Sequence, residues 1–176
     1  GPAAKAEGLI QPYKVSTWDS IPDTAKDGEG YWYGDYYGVL AMAVNKDIVT
    51  EASPASFADL KDPKYAAMVA IPGDPRTGNS TMMSVYAAGL AANGGKGGAD
   101  AASAGITFFK DLKAAGNFLP VDPDSSTIES GDTPVVIDWD YLGAAAAKNV
   151  PTWKTVVPAE AVVAGYYYQA ISADAP

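Results

Sequence analysis

A short apolar strand followed at once by an alanine-rich helix is the feature of this sequence that most restricts its fold. Val135, Val136 and Ile137 are β-branched and follow Pro134, which predicts a buried strand. The run 142–148 contains four consecutive alanines and predicts a helix. A strand that leads directly into a helix is typical of an open α/β sheet, in which ligands bind beyond the carboxyl ends of the strands.

Two carboxylates and two large aromatic side chains occupy the turn between this strand and this helix. They are Asp138, Trp139, Asp140 and Tyr141. One interpretation is structural, with Asp138 capping the helix and both aromatic side chains in the core. Because a helix cap uses a single aspartate, we predict that at least two of the four residues face a ligand.

A second polar segment also lies between a predicted strand and a predicted helix. Residues 67–71 predict the strand, residues 82–90 predict the helix, and a glycine-containing loop joins them. Free backbone N–H groups at the start of a helix favour an anion or a polar group. The candidate ligand residues in this segment are Thr77, Gly78, Asn79 and Ser80. The alternative is simple N-capping by Asn79 or Ser80. The segment lacks the Gly-Lys-Ser/Thr ending of a phosphate-binding P-loop and the Gly-x-Gly-x-x-Gly dinucleotide pattern.

An aromatic cluster punctuated by glycines occupies residues 31–38 and precedes an apolar run of strand type at 39–44. Its candidate ligand residues are Tyr33, Asp35 and Tyr36, which would form a wall of the site. The alternative is a hairpin whose cross-strand aromatic side chains stack on one another. Both interpretations stay open at this point.

Charge and composition exclude several kinds of chemistry. The net charge of -9 argues against a nucleic-acid partner, which would require a basic patch, and permits a cationic ligand. The sequence has no cysteine and no histidine, so thiolate nucleophiles, Ser-His-Asp catalysis and a histidine-ligated zinc are excluded. We therefore expect neither a cofactor nor a metal site.

Taken in order, these stretches resemble the extracellular solute-binding proteins of ABC importers. The group in question is two-lobed and includes the ferric-ion, spermidine/putrescine and thiamine binders. The resemblance covers nearly the whole chain. It rests on a crossover strand at 33–45, a Phe-Ala-Asp-Leu segment with the strand after it at 56–72, a ligand-side loop at 74–81, a segment that carries ligand residues at 135–140, and a return crossover strand at 165–172.

The resemblance implies a single lobe of the type II periplasmic-binding-protein-like fold. This lobe is an α/β structure with a mixed, mainly parallel sheet and helices on both faces. A complete protein of this type is larger than this chain, so we expect the second lobe only. Residues 1–2 are expected to be a remnant of a protease site, 3–38 an inter-lobe linking segment, and 39–172 the solute-binding lobe with both crossover strands.

The function implied by the resemblance is solute binding without chemistry. Two lobes would hinge closed over a small solute, so the chain is expected not to be an enzyme. The expected partners are the solute, the missing first lobe of the same protein and a membrane permease, in a periplasmic or extracellular location. The exposed aromatic face of the cleft is also a candidate self-association surface.

The turn at residues 138–141 departs from one branch of the family. Ferric binders carry two adjacent tyrosines where this chain has Trp139-Asp140. We therefore expect a small polar, amine-bearing solute, for which a tryptophan face and carboxylates are suitable partners. A ferric-ion-binding lobe is one alternative. A hydrolase that uses Asp138 and Asp140 with Asp35 is another, and an engineered single lobe made for folding studies is a third.

Overall fold

A computed structural model describes residues 1–176, which form two compact units. One unit comprises Val39–Val163, and the other comprises Gly1–Gly38 together with Ala164–Pro176. Residues 164–172, which the sequence analysis placed in the lobe, group with the second of these units because their strands pair there. The correspondence of these units to the lobes of a complete protein stays a prediction.

The unit 39–163 is built on a mixed sheet. Its strands are β2 (Tyr33–Asn45, of which 39–45 belong to this unit), β3 (Val69–Ala70), β4 (Val135–Trp139) and β5 (Trp153–Val156). They lie in the order β3-β4-β2-β5. Only β3 and β4 are parallel, whereas β2 is antiparallel to both of its neighbours β4 and β5. The mixed sheet is as predicted, but the expectation that it is mainly parallel is wrong, because the long strand β2 runs against β4 and β5.

Helices cover both faces of this sheet. They are α2 (Asn79–Ala92), α3 (Ala99–Ala114), α4 (Ser125–Ser130) and α5 (Asp140–Asn149). Ala43 and Val136 are paired across β2 and β4, and side chains of α4 and α5 pack over them. Met42 and Ile137 are paired on the opposite face and are fully buried. There α2 packs against β4, and α3 packs on α2.

The contact between α2 and α3 depends on two glycines. A Cβ atom on Gly89 would lie 1.7 Å from the carbonyl oxygen of Ala101. A Cβ atom on Gly105 would lie 1.9 Å from the carbonyl oxygen of Val85. The two helix backbones therefore touch at a separation that no other residue type allows.

The second unit contains, besides the start of β2 and the two 3-10 helices Trp18–Ser20 and Asp23–Ala25, four short elements. They are α1 (Pro2–Ala6), β1 (Ile10–Gln11), β6 (Ala164–Gln169) and β7 (Ile171–Ser172). β1 and β7 form an antiparallel two-stranded sheet in which Ile10 lies opposite Ser172. β6 pairs with β2. The helix α1 includes Pro2, which the sequence analysis had set aside, and Gly8 follows it with a φ of 69°.

No helix in the chain combines the length and the hydropathy that a membrane span requires.

Candidate functional site

The two polar segments that the sequence analysis selected in the unit 39–163 meet at one edge of its sheet. Because β3 and β4 are parallel, their carboxyl ends lie at the same edge. The helix α5 begins directly after β4, and α2 begins after the loop that follows β3. The hydroxyl of Ser80, in the first turn of α2, lies close enough to the carboxylate of Asp138 at the end of β4 to stabilise its negative charge. We call residues 77–80 and 138–141 the carboxyl-edge site.

Asp138 is the central ionisable group of this site. Its side chain is half-buried, and one carboxylate oxygen accepts the Trp139 backbone N–H at 2.8 Å. Burial raises the pKa of Asp138 above its usual value, and the charge of Asp122 acts in the same direction, while the Trp139 backbone N–H and the Ser80 hydroxyl oppose the rise. The carboxylate is therefore incompletely solvated and would gain from a positively charged partner.

The position of Trp139 contradicts the expectation that its ring face binds an amine-bearing solute. Its side chain is only 1 % exposed, because successive residues of β4 alternate between the faces of the sheet and Trp139 points into the core. No open ring face remains for a cation–π contact with a solute. Tyr141, in the first turn of α5, is half-buried and already engaged in interactions within the protein.

Asp140 has a structural partner. Its carboxylate accepts the backbone N–H of Val39 at 2.9 Å, which joins the start of α5 to β2. A carboxylate at the first position of a helix also interacts favourably with the helix dipole. The half-buried Asp140 thus has a structural role, because its carboxylate joins the start of α5 to β2.

Replacing Asp140 by alanine is expected to lower the free energy of unfolding by about 1–2 kcal/mol, because the Val39 N–H loses its acceptor. Asp140→Asn retains an acceptor oxygen and is expected to stay within about 0.5 kcal/mol of the parent. Urea denaturation of the two variants measures the difference. Equal losses for both variants would show that the charge at the helix start, and not the hydrogen bond, is the important contribution.

The loop before α2 presents uncapped backbone groups. Gly78 is the N-cap residue of α2, and no side chain caps the helix, so the expected alternative of capping by Asn79 or Ser80 is wrong. A Cβ atom on Gly78 would lie 2.9 Å from the hydroxyl of Thr81, which leaves little room for another residue. Asn79 is exposed, as is Thr77, whose hydroxyl donates to the Asp74 carbonyl at 3.3 Å.

Two acidic residues near this edge were not among the individual ligand candidates selected from the sequence. Asp122 accepts the Gly73 backbone N–H at 2.9 Å and contributes its charge to the environment of Asp138. Asp74 is hydrogen-bonded to Arg76, which lowers the pKa of Asp74 to about 2 and occupies the guanidinium. An available signal for Asp122 was its position directly after the short, mainly apolar run at 118–121. Phe118 does pair in parallel with Val69, so the chain leaves this bridge at the same edge.

The aromatic candidates lie in the other unit, where the structure places them in a cross-strand cluster. Tyr36 stacks on Tyr167 with ring centroids 4.6 Å apart, as the stacked-aromatic alternative describes. Tyr33 packs edge-on against Trp18, at 6.2 Å, and Asp35 accepts a long hydrogen bond from Gln169 at 3.4 Å. Tyr33, Asp35 and Tyr36 also line an open cavity of about 490 Å³ within this unit. Their role in ligand binding stays a prediction.

Comparison with known proteins gives a family match over almost the whole chain. A family model described as bacterial extracellular solute-binding protein matches residues 1–174. A comparison with curated proteins found no significant match.

Several solved structures share the fold. The periplasmic binding protein AfuA from Actinobacillus pleuropneumoniae, with fructose-6-phosphate bound, is 22% identical and has a TM-score of 0.73 over 96% of this chain and 53% of its own. The spermidine/putrescine ABC transporter substrate-binding protein PotD from Streptococcus pneumoniae is 15% identical, with a TM-score of 0.72 over 97% of this chain and 54% of its own. Iron-bound HitA from Pseudomonas aeruginosa is 16% identical, with a TM-score of 0.64 over 97% and 54%. The chain thus spans just over half the length of these proteins, and the predicted type II fold class is confirmed.

Proposed function

Because this chain belongs to the bacterial extracellular solute-binding protein family, we propose that it is one lobe of the solute-binding component of an ABC importer. The family is one of binding proteins, so the carboxylate-based hydrolase considered from the sequence is wrong. In the proposed cycle, this lobe and a partner lobe close over a solute, and the closed form delivers the solute to a membrane permease outside the cytoplasm.

The solute that we propose is small, polar and amine-bearing. The observation that carries this proposal is the half-buried carboxylate of Asp138, which burial leaves poorly solvated at the carboxyl edge. A carboxylate accepts up to about four hydrogen bonds, so the bond from the Trp139 N–H and the nearby Ser80 hydroxyl leave capacity for an ammonium group. Asp122 adds negative charge beside it. The ammonium group would bind through charge-assisted hydrogen bonds to Asp138, without the tryptophan face that the sequence had suggested.

A phosphate-bearing solute is the second candidate. The observation that favours it is the start of α2 at Gly78 without a side-chain cap, which leaves backbone N–H groups available to an anion. The similar protein AfuA was solved with a sugar phosphate. A solute with an amine at one end and an anionic group at the other would satisfy both parts of the site.

Calorimetric titration of the complete two-lobed protein tests the solute class. Polyamines, amino acids, sugar phosphates and ferric salts are titrated in turn, and we expect binding of an amine-bearing solute. Tight binding of iron or of a sugar phosphate, with no response to any amine, would contradict the proposed solute.

The 176-residue chain alone provides the second arm of this test. It supplies half of the contacts and no opposing wall, so its affinity is expected to be no better than about millimolar. Micromolar binding by this chain alone would contradict its assignment as one of two lobes that share a solute.

A further inference from the structure

A groove of about 360 Å³ lies along the sheet of the unit 39–163, between α4 and α5. Small residues create its volume: Ala43 and Val136 form part of its floor, and α5 contributes Gly143 and Ala146. The groove begins at Asp138 of the carboxyl-edge site and extends to Trp153. Asp138 lies opposite Ala41 and Trp153 lies opposite Asn45, so the two are four residues, or roughly 13 Å, apart along the strands.

The far end of the groove contains an unsatisfied donor. Trp153 is 4 % exposed and lines the groove, and its indole Nε1–H is buried without a hydrogen-bond partner. A buried donor of this kind is rare in folded proteins, because its desolvation is not compensated. This N–H is closed to solvent, so an oxygen atom on a bound molecule would provide the missing acceptor once the indole rotates slightly toward it.

The charge of the groove is of one sign. The ionisable residues that line it are Asp124, Glu129 and Asp138, and all three are acidic. Asp124 accepts the backbone N–H groups of Ser126 and Thr127, which lowers its pKa and keeps it ionised. An apolar floor with an acidic rim is complementary to an organic cation that has a hydrocarbon portion.

We propose that this groove is a subsite for the apolar arm of an organic cation. The charged end lies at Asp138, the arm follows the floor over Val136 and Ala43, and an oxygen at the far end accepts the indole N–H of Trp153. This proposal rests on the proposed function in one respect, which is that the charged end of the solute lies at Asp138. The groove adds two requirements that the carboxyl-edge site alone does not specify: the length of the solute and a hydrogen-bond acceptor at its far end.

Linear amino alcohols of two to eight carbons test this subsite in the 176-residue chain. The reporter is the indole N–H resonance of Trp153 in a 15N NMR titration, which Trp153→Phe identifies among the four tryptophans. Affinity is expected to rise about fourfold for each added methylene until the groove is filled. The Trp153 resonance should move only with the longer members, whereas the amide signals of Ser80 and Asp138 should move with all of them.

Two alanines on α5 provide a matched pair of variants. Ala145 lines the groove, whereas its neighbour Ala144 does not, and both are exposed. Ala145→Leu is expected to reduce the affinity of the longest amino alcohol by about tenfold and to leave the shortest unchanged, because the leucine fills the groove. Ala144→Leu is expected to change neither.

The outcomes separate this subsite from the proposed function. If affinity is independent of chain length and Trp153 does not respond, while Ser80 and Asp138 do, the groove is only a water-filled packing gap and the amine end stands. If alkanediols of equal length bind as well as the amino alcohols and shift Trp153, the cationic end is overturned together with the amine solute. If no probe shifts any of these signals, both the subsite and the amine solute are rejected.

Discussion

Replacing Gly89 by alanine is expected to destabilise this protein by about 3 kcal/mol, at the upper end of the usual cost of overpacking. Helix propensity alone predicts the opposite, a gain of about 1 kcal/mol when alanine replaces glycine in a helix. Packing decides the sign of the change in the free energy of unfolding, because the new methyl group would lie 1.7 Å from the Ala101 carbonyl oxygen. That oxygen belongs to the backbone, so the clash is relieved only if α2 and α3 move apart.

Two other glycines serve as comparisons for this variant. Gly105→Ala meets the Val85 carbonyl oxygen at 1.9 Å and should cost a similar amount. Gly143→Ala meets the Thr155 hydroxyl at 2.6 Å, which is a side-chain atom that can rotate away, and should cost clearly less. Urea denaturation followed by circular dichroism measures all three. A Gly89→Ala protein as stable as the parent would show that the two helices lie farther apart than this structure describes.

Replacing Asp138 by asparagine is expected to reduce amine affinity at least tenfold. A hydrogen bond to a charged group contributes about 1.5–3 kcal/mol, and asparagine offers the same shape without the charge. Titration calorimetry of the complete protein, or NMR of this chain, measures the change. Asp122→Asn is the matched control, because Asp122 acts on Asp138 through its charge and should cause a smaller loss. An unchanged affinity for Asp138→Asn would place the amine elsewhere.

The Asp138→Asn variant is expected to be at least as stable as the parent at neutral pH. Burial raises the pKa of Asp138 in the folded protein, so the unfolded chain ionises more readily than the folded one. The parent therefore loses stability as the pH rises from the unfolded pKa to the raised folded pKa, and the loss persists above that interval. Asparagine does not titrate, and its oxygen still accepts the Trp139 N–H.

Urea denaturation of both proteins from about pH 3.5 to about pH 7 follows this difference, because the range begins near the ordinary pKa of aspartate. The advantage of the variant should increase with pH. A variant that is less stable than the parent at neutral pH would show that the hydrogen bonds of the carboxylate outweigh its burial.

Local sequence signals were sufficient for the elements that build the site. The β-branched run before Asp138 and the alanines after Tyr141 each favour one secondary structure, and both occur as predicted. The adjacency of residues 77–80 and 138–141 also follows from two strand–helix units whose strands are parallel. The family resemblance added the order of these units, and the family match over residues 1–174 confirms the resemblance itself.

Other features depend on contacts that no local pattern contains. The direction of β2 relative to β4 is set by the path of the chain between them, so the mainly parallel sheet was a wrong expectation. Trp139 looked available because the sequence places it in the turn between the predicted strand and helix, but the alternation of side chains along β4 places it in the core. Gly89 and Gly105 look like weak points of their helices, whereas in the structure they allow the closest approach of two backbones.

The pairing of β1 with β7 has a consequence for how such a module can be moved between proteins. Ile10 and Ser172 are neighbours across two antiparallel strands, so the two ends of the segment 10–172 lie side by side. A segment of this kind can be grafted into a surface loop of a host protein through two adjacent junctions, and the host chain resumes close to where it was interrupted.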